Sequence, residues 1–228
     1  MITLYDLVFQ ADRRPSPFCW RTKFGLAHKG LAWAEVPVGF TEKEKIAFAS
    51  SQTLPVIKDG EIAIKDSWVI ASHLEKAYPD RPLFKSEMAR SYALFVNGWT
   101  DTQVHAALAP LVIGDLYDRV RIEDQPYIRE SRGKRFGSTD LGAVQAAARG
   151  KGPAAFRAVL EPARRTLKEQ KFLAGDTPAY PDYTLVGAFM WARIVSPFEL
   201  LAADDPLHAW RERMLDLYDG MGRKAKAA

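Results

Sequence analysis

A chain of 228 residues that is 47% hydrophobic and holds 12 Phe, 6 Trp and 8 Tyr has enough apolar surface to bury a core against chain entropy, which excludes disorder as its main state. A single cysteine excludes an intramolecular disulfide framework, and no Cys/His spacing fits a zinc site. The net charge is +4, the start Met1-Ile2-Thr3-Leu4-Tyr5-Asp6 has neither the basic residues nor the apolar run of a signal peptide, and no stretch approaches the ~18 apolar residues of a membrane span, so a soluble cytoplasmic protein is expected.

In chain order, residues 2–9 read as a strand, 17–29 as a helix ended near Gly30, and 31–38 as a second strand. The polar stretch 41–51 predicts a short helix or irregular loop. Residues 55–58 and 61–65 predict two short strands around Asp59-Gly60, a pair that favours a tight hairpin. Residues 67–78 place Trp68, Ile70, Ala71, Leu74 and Ala77 at helical spacing, with Pro79 as the stop. The order βαβ then ββα predicts an α/β domain over residues 1–82.

Beyond Asp80-Arg81-Pro82 the periodicity turns helical and no strand is evident. A linker over 83–89 and an all-helical domain over 90–228 are expected. Ser86 suits the cap of a helix running through Tyr92, Leu94, Phe95 and Trp99 until Pro110 perturbs it. Further helices are expected over 140–149, 153–170, 183–195 and 206–218, with breaks at Gly150, Gly152 and Gly175 and a frayed tail over 222–228. Charge is uneven along this half: residues 118–168 hold 12 Lys and Arg against 6 Asp and Glu, including Arg129, Arg132, Lys134 and Arg135. Such a patch suits an acidic small molecule or a solvated face; no aromatic interleaving marks it as a nucleic-acid site.

Ser16-Pro17-Phe18-Cys19 lies where the first strand hands over to the first helix. Pro17 suits the first helical position and Ser16 the N-cap, so the Ser16 hydroxyl stands beside unpaired N–H groups at the positive helix end. That environment stabilises an anion, be it phosphate, carboxylate or thiolate. Cys19, one turn on, suits either a buried structural thiol or a redox role. By spacing alone, Leu54-Pro55 opens a strand as an ordinary trans edge residue, and Asp66-Ser67 is a helix cap.

Ser-Pro-Phe-Cys resembles the Cys-Pro-x-Cys turn of glutaredoxins with serine at the first position, and residues 20–31 that follow resemble the first helix of serine-type glutathione transferases. With Leu54-Pro55-Val56-Ile57, residues 66–71, residues 78–82, Tyr180-Pro181-Asp182-Tyr183 and the closing stretch 204–220, the chain is identified as a member of the glutathione S-transferase superfamily. It is most similar there to the bacterial lignin β-aryl-etherase branch and its fungal serine-type relatives. The resemblance implies a thioredoxin-like first domain, an all-α second domain, and glutathione as co-substrate without a metal. It makes Ser16 the activator of the glutathione thiolate, Pro55 a cis proline, and the Leu54 backbone the partner of the cysteinyl unit. Ser67 and Asp66 would meet the γ-glutamyl carboxylate and ammonium, and Asp182 would cap a helix of the second domain. The electrophile would sit between the domains, against candidates Phe9, Phe18, Phe40, Trp99, His105 and Tyr117. The implied activity is thiolate attack on a hydrophobic, aromatic electrophile, with β-aryl ether cleavage as a specific form. The alternatives are a non-catalytic carrier of hydrophobic ligands and a glutathione-disulfide oxidoreductase. A homodimer is also implied, pairing the small domain of one chain with the helical domain of the other.

Overall fold

A computed structural model describes residues 1–228. Four strands, β1 (Ile2–Leu7), β2 (Trp33–Val38), β3 (Val56–Asp59) and β4 (Ile62–Lys65), form one sheet in the order β2-β1-β3-β4. β1 and β2 run parallel, from Ile2 opposite Trp33 to Leu7 opposite Val38. Parallel neighbours need a crossover, and α1 (Pro17–Lys29) supplies it. β3 lies antiparallel to β1, with Leu4 opposite Ile57, and turns into β4 through Gly60 at φ +60°. Leu4 and Ile57 are wholly buried, and α2 (Ser67–Ala77) packs on α1 to complete a thioredoxin-like domain. The polar stretch after β2 coils into a 3-10 segment, Lys43–Ala49, and the Leu54-Pro55 bond is cis.

The second domain is all helical: α3 (Glu87–Trp99), α4 (His105–Arg119), α5 (Gln125–Phe136), α6 (Leu141–Gly150), α7 (Ala154–Val159), α8 (Glu161–Glu169), α9 (Tyr180–Val195) and α10 (Pro206–Lys224). α9 is its axis, buried along nearly its whole length and packed on α1, α3, α4 and α10. Asp182, the third residue of α9, accepts from the N–H groups of Leu173 (2.7 Å), Ala174 (3.2 Å) and Ala179 (3.2 Å) and from Trp210 Nε1 (2.9 Å). One apolar core therefore runs from β1 and α1 through α9 to α10 without a seam between the domains.

Several boundaries differ from the sequence reading. The helix after Ser86 begins at Glu87, inside the expected linker, and Leu83 and Phe84 before it are buried, their N–H groups held by the Glu75 carboxylate at 2.8 and 3.2 Å. The perturbation falls upstream of Pro110, as a π turn over Thr100–Val104, and Pro110 lies within α4. The stretch 153–170 divides at Leu160, because Pro162 restarts the helix at the second position of α8. α5 has no counterpart in the sequence reading. α9 starts at Tyr180, so Asp182 satisfies the helix start from its first turn rather than preceding it. α10 is broken by non-helical residues Leu217–Gly220, and the tail is tied down where the Ala228 N–H donates to the Arg193 carbonyl (3.0 Å).

Candidate active site

The start of α1 is shaped by Pro15-Ser16-Pro17. Ser16 is extended (φ −62°, ψ 118°), Pro17 occupies the first helical position, and Ser16 Oγ accepts the Cys19 N–H at 3.2 Å. The Trp20 N–H bonds the Ser16 carbonyl, and Pro17 has no N–H, which leaves the Phe18 N–H as the backbone donor without a partner in the chain. The Ser16 hydroxyl donates to no oxygen or nitrogen of the chain, and its near neighbour is Cys19. Behind the helix, the wholly buried Asp6 carboxylate faces the Lys23 ammonium at 2.6 Å and Arg14 at 3.7 Å.

Ser16 opens into a cleft of about 400 Å³ between the two domains, a size suited to a small-molecule ligand. One wall comes from the thioredoxin-like domain: Phe9 after β1, Ser16 and Phe18 at α1, Phe40 and Lys43 after β2, and Gln52, Thr53 and Leu54 before β3. The Leu54 N–H and C=O have no partners in the chain. The other wall is helical: Asp101 of the π turn, His105, Ala109, Ile113 and Leu116 of α4, Tyr127, Arg132, Arg135 and Phe136 of α5, and Trp191 of α9. Two aromatic strings line it. Phe40 packs between Phe9 (5.8 Å) and Tyr127 (5.7 Å), and His105 meets Phe18 (5.4 Å) and Trp191 (5.8 Å) edge to face.

The two walls are joined by Arg21 of α1, whose wholly buried guanidinium donates to Asn97 Oδ1 (3.1 Å) and to Asp101 Oδ1, which lies at the cleft. Burial first, then the charges of Arg21 and Arg135, keep the His105 ring neutral, its pKa pushed down to about 3. Its Nε2 is buried without a hydrogen bond. Cys19 is 1% exposed, and burial, reinforced by the Asp6 charge, pushes its thiol pKa well up.

Of the residues singled out in the sequence, Ser16, Leu54, Phe9, Phe18, Phe40 and His105 come together at this cleft, while Trp99 and Tyr117 do not. Asp101, His105, Ala109 and Ile113 line the cleft in steps of four, a row that drifts about 40° round the helix at each step, so that beyond Ile113 the cleft takes Leu116 and Tyr117 is carried off it. Its hydroxyl accepts from Arg129 at a separate shallow depression. Trp99 precedes the π turn, which rotates the face beyond it, and packs half-buried against the core. Asp66 and Ser67 stand at the start of α2 and do not line this cleft. Asp66 is the N-cap, accepting from Trp68 (2.9 Å) and Val69 (3.1 Å), and the Ser67 carbonyl accepts from the Tyr180 hydroxyl (3.1 Å). The cleft residues absent from the sequence reading of the site are chiefly Lys43, Asp101, Tyr127, Arg132, Arg135 and Trp191. The basic excess over 118–168 was the one signal for any of them. No group of three or more His, Cys, Asp or Glu is placed to hold a metal ion, and no helix is long and apolar enough to cross a membrane.

The fold is thus a thioredoxin-like domain joined to a helical domain, with the Ser16 hydroxyl and the N-terminus of α1 facing the cleft between them. The family model for the glutathione S-transferase N-terminal domain matches residues 15–77, and that for the C-terminal domain matches residues 92–215. The chain belongs to the glutathione S-transferase family. It is 26% identical over 113 residues to glutathione S-transferase Z1 of Arabidopsis thaliana, an alignment spanning 46% of this chain and 50% of that protein. Among solved structures it resembles a glutathione S-transferase of Ceriporiopsis subvermispora in complex with glutathione (TM-score 0.83, 23% identity, 96% of each chain). A glutathione transferase of Phanerochaete chrysosporium is similar to the same degree (TM-score 0.82, 22% identity, 96% of each chain).

Proposed function

We propose that this chain is a glutathione transferase that binds glutathione along Leu54-Pro55 and the start of α2, activates its thiol at Ser16, and presents the thiolate to a hydrophobic aromatic electrophile on the helical wall. The observation that carries this reading is the start of α1, where the Ser16 hydroxyl and the unpartnered Phe18 N–H stand at the cleft beside the unpaired Leu54 backbone. The glutathione held by the Ceriporiopsis structure supports it. A free thiol titrates near ~8.5, so little is thiolate at neutral pH. A hydroxyl donor and a helix N-terminus both favour the charged form, which makes Ser16 an activator and not a covalent nucleophile. The sulfur–carbon bond forms at the electrophilic carbon while the leaving group, a halide or the aryloxide of a β-aryl ether, departs with its bonding pair and the thiol proton passes to solvent. The Ser67 hydroxyl and Asp66 carboxylate take the γ-glutamyl end. The buried Cys19 thiol offers no nucleophile for a disulfide exchange reading.

Titration calorimetry with glutathione, read beside the ultraviolet absorbance of bound thiolate, tests this directly. Ser67→Ala is expected to weaken binding about tenfold, the effect of losing a hydrogen bond to a charged group. Ser16→Ala is expected to abolish the thiolate signal and lower turnover of aryl halides and aryl ethers about 100-fold while glutathione still binds. Absence of saturable glutathione binding by the unaltered chain overturns the reading in favour of a carrier. The homodimer belongs to the same proposal, and exposed Met88, Tyr92 and Phe95 on one face of α3 supply an apolar stripe for it.

A further inference from the structure

The cleft holds more positive charge than glutathione transfer to a neutral electrophile calls for. Arg132 and Arg135, one turn apart on α5, both line it, and neither guanidinium forms an ion pair or hydrogen bond with any group of the chain. Their neighbours on the same helix are committed: Lys134 pairs with Glu130 at 2.7 Å, and Arg129 donates to the Tyr117 hydroxyl. Arg132 instead lies over the Phe40 ring (5.8 Å) and Arg135 over the Phe136 ring (5.6 Å). The one carboxylate on the cleft wall, Asp101, is taken by Arg21 and Asn97. The third cation, Lys43, stands on the opposite wall with Gln52 and Leu54, the side assigned to glutathione. Arg132 is half-buried without a counter-charge and has a second guanidinium one turn away, an arrangement that is costly unless a ligand neutralises it. Burial, followed by the charge of Arg135, already depresses the pKa of Arg132. Beside them His105 keeps Nε2 buried and unpartnered, a further polar atom whose hydrogen bond is left for a ligand.

We propose that the helical wall is an anion subsite, and that the electrophile met by glutathione here is an aromatic carboxylate. Its ring lies among Phe40, Tyr127 and Trp191, and its carboxylate is held by the planar forks of Arg132 and Arg135, the geometry arginine matches best. This deepens the glutathione-transferase reading and rests on it for the word electrophile.

The test compares a carboxylate with its neutral isostere, on the full chain. 3,5-Dinitrobenzoate and 3,5-dinitrobenzamide have no leaving group, so calorimetric binding reads the subsite without turnover. The benzoate is expected to bind about tenfold more tightly, and Arg132→Gln or Arg135→Gln to erase most of that difference. For turnover, 4-chloro-3,5-dinitrobenzoate and its amide react alike: the glutathione sulfur bonds the ring carbon bearing chlorine, chloride leaves with the bonding pair, and the thiol proton passes to solvent. The ratio of their kcat/KM values is expected to fall about tenfold in each arginine variant. Equal binding of benzoate and benzamide by the unaltered chain overturns the subsite. So does loss of glutathione affinity in the arginine variants, which would place the carboxylates of glutathione itself there. Failure to bind glutathione with the benzoate preference intact overturns the transferase reading alone.

Discussion

His105 shows how one buried side chain ties the site to stability. Its folded pKa of about 3 lies below the ordinary 6.5, so the unfolded chain binds more protons than the folded one between those values. The stability held by the neutral ring is fully present above about pH 6.5 and is lost as pH falls through that value toward 3, by about 2 kcal/mol at about pH 5. Asp182 has the opposite sign: burial lifts its carboxyl to about 6 from 3.8, so the fold binds the extra proton and its contribution improves as pH falls through 6. The whole-protein pH curve mixes the two, and a variant separates them. The difference in urea stability between the unaltered chain and His105→Gln is expected to shrink by about 2 kcal/mol on going from about pH 7 to about pH 5. An unchanged difference would show that the ring takes up its proton inside the fold. In the sequence, Ser16 could be recognised because capping is local, set by the proline beside it. Arg132 and Arg135 looked like part of a solvated basic run, since what makes them unusual is the absence of nearby carboxylates in space.

At the scale of elements, the approach of α9 to α1 sets the position of Ser16. A Cβ on Gly187 would lie 2.6 Å from the Pro17 carbonyl oxygen and 3.3 Å from its carbon, so the helices meet where only glycine fits. The atoms in the way are backbone and have no rotamer to turn aside. Gly187→Ala adds about 1 kcal/mol of helix propensity but forces apart a packed contact, at a cost of about 1–3 kcal/mol or more for such a hard overlap. Overpacking wins in this balance: net destabilisation is expected in urea unfolding, with weaker thiolate absorbance in bound glutathione because Pro17 directly follows Ser16. A Gly187→Ala chain as stable as the original, with the same thiolate signal, would show that the α1 start is positioned by something else. α1 itself was legible to the residue, Pro17–Lys29, because proline opens it and Gly30 at φ +70° closes it. α5 was not. Gln125–Phe136 buries only Ile128 and Gly133 and presents charge over most of its circumference, so its sequence carries almost no 3.6-residue periodicity.

At the scale of the molecule, the cleft exists only because two domains with separate sequence signals close on each other. Ser16 and His105 lie almost ninety positions apart, and the π turn that rotates α4 relative to α3 leaves no mark in the residue pattern. That is why the thioredoxin-like half could be read in order and the helical wall could not. The same scale leaves α3 with an unburied face. Met88, Tyr92 and Phe95 recur at i, i+4 and i+7 and are 82%, 38% and 71% exposed. A contiguous apolar stripe of this kind on a charged surface is the mark of a protein contact. The proposed homodimer, small domain of one chain against helical domain of the other, would use this face of α3. Light scattering at concentrations above about micromolar is therefore expected to give twice the 25.6 kDa chain mass. Met88→Glu with Phe95→Glu should return it to a single chain mass, because burying two carboxylates opposite an apolar partner costs more than a modest interface supplies. Neither side chain is buried in the chain itself, so folding and the cleft do not depend on them. A single chain mass for the unaltered protein would remove the dimer from the proposal, and a double mass that survives both glutamates would move the contact to another face.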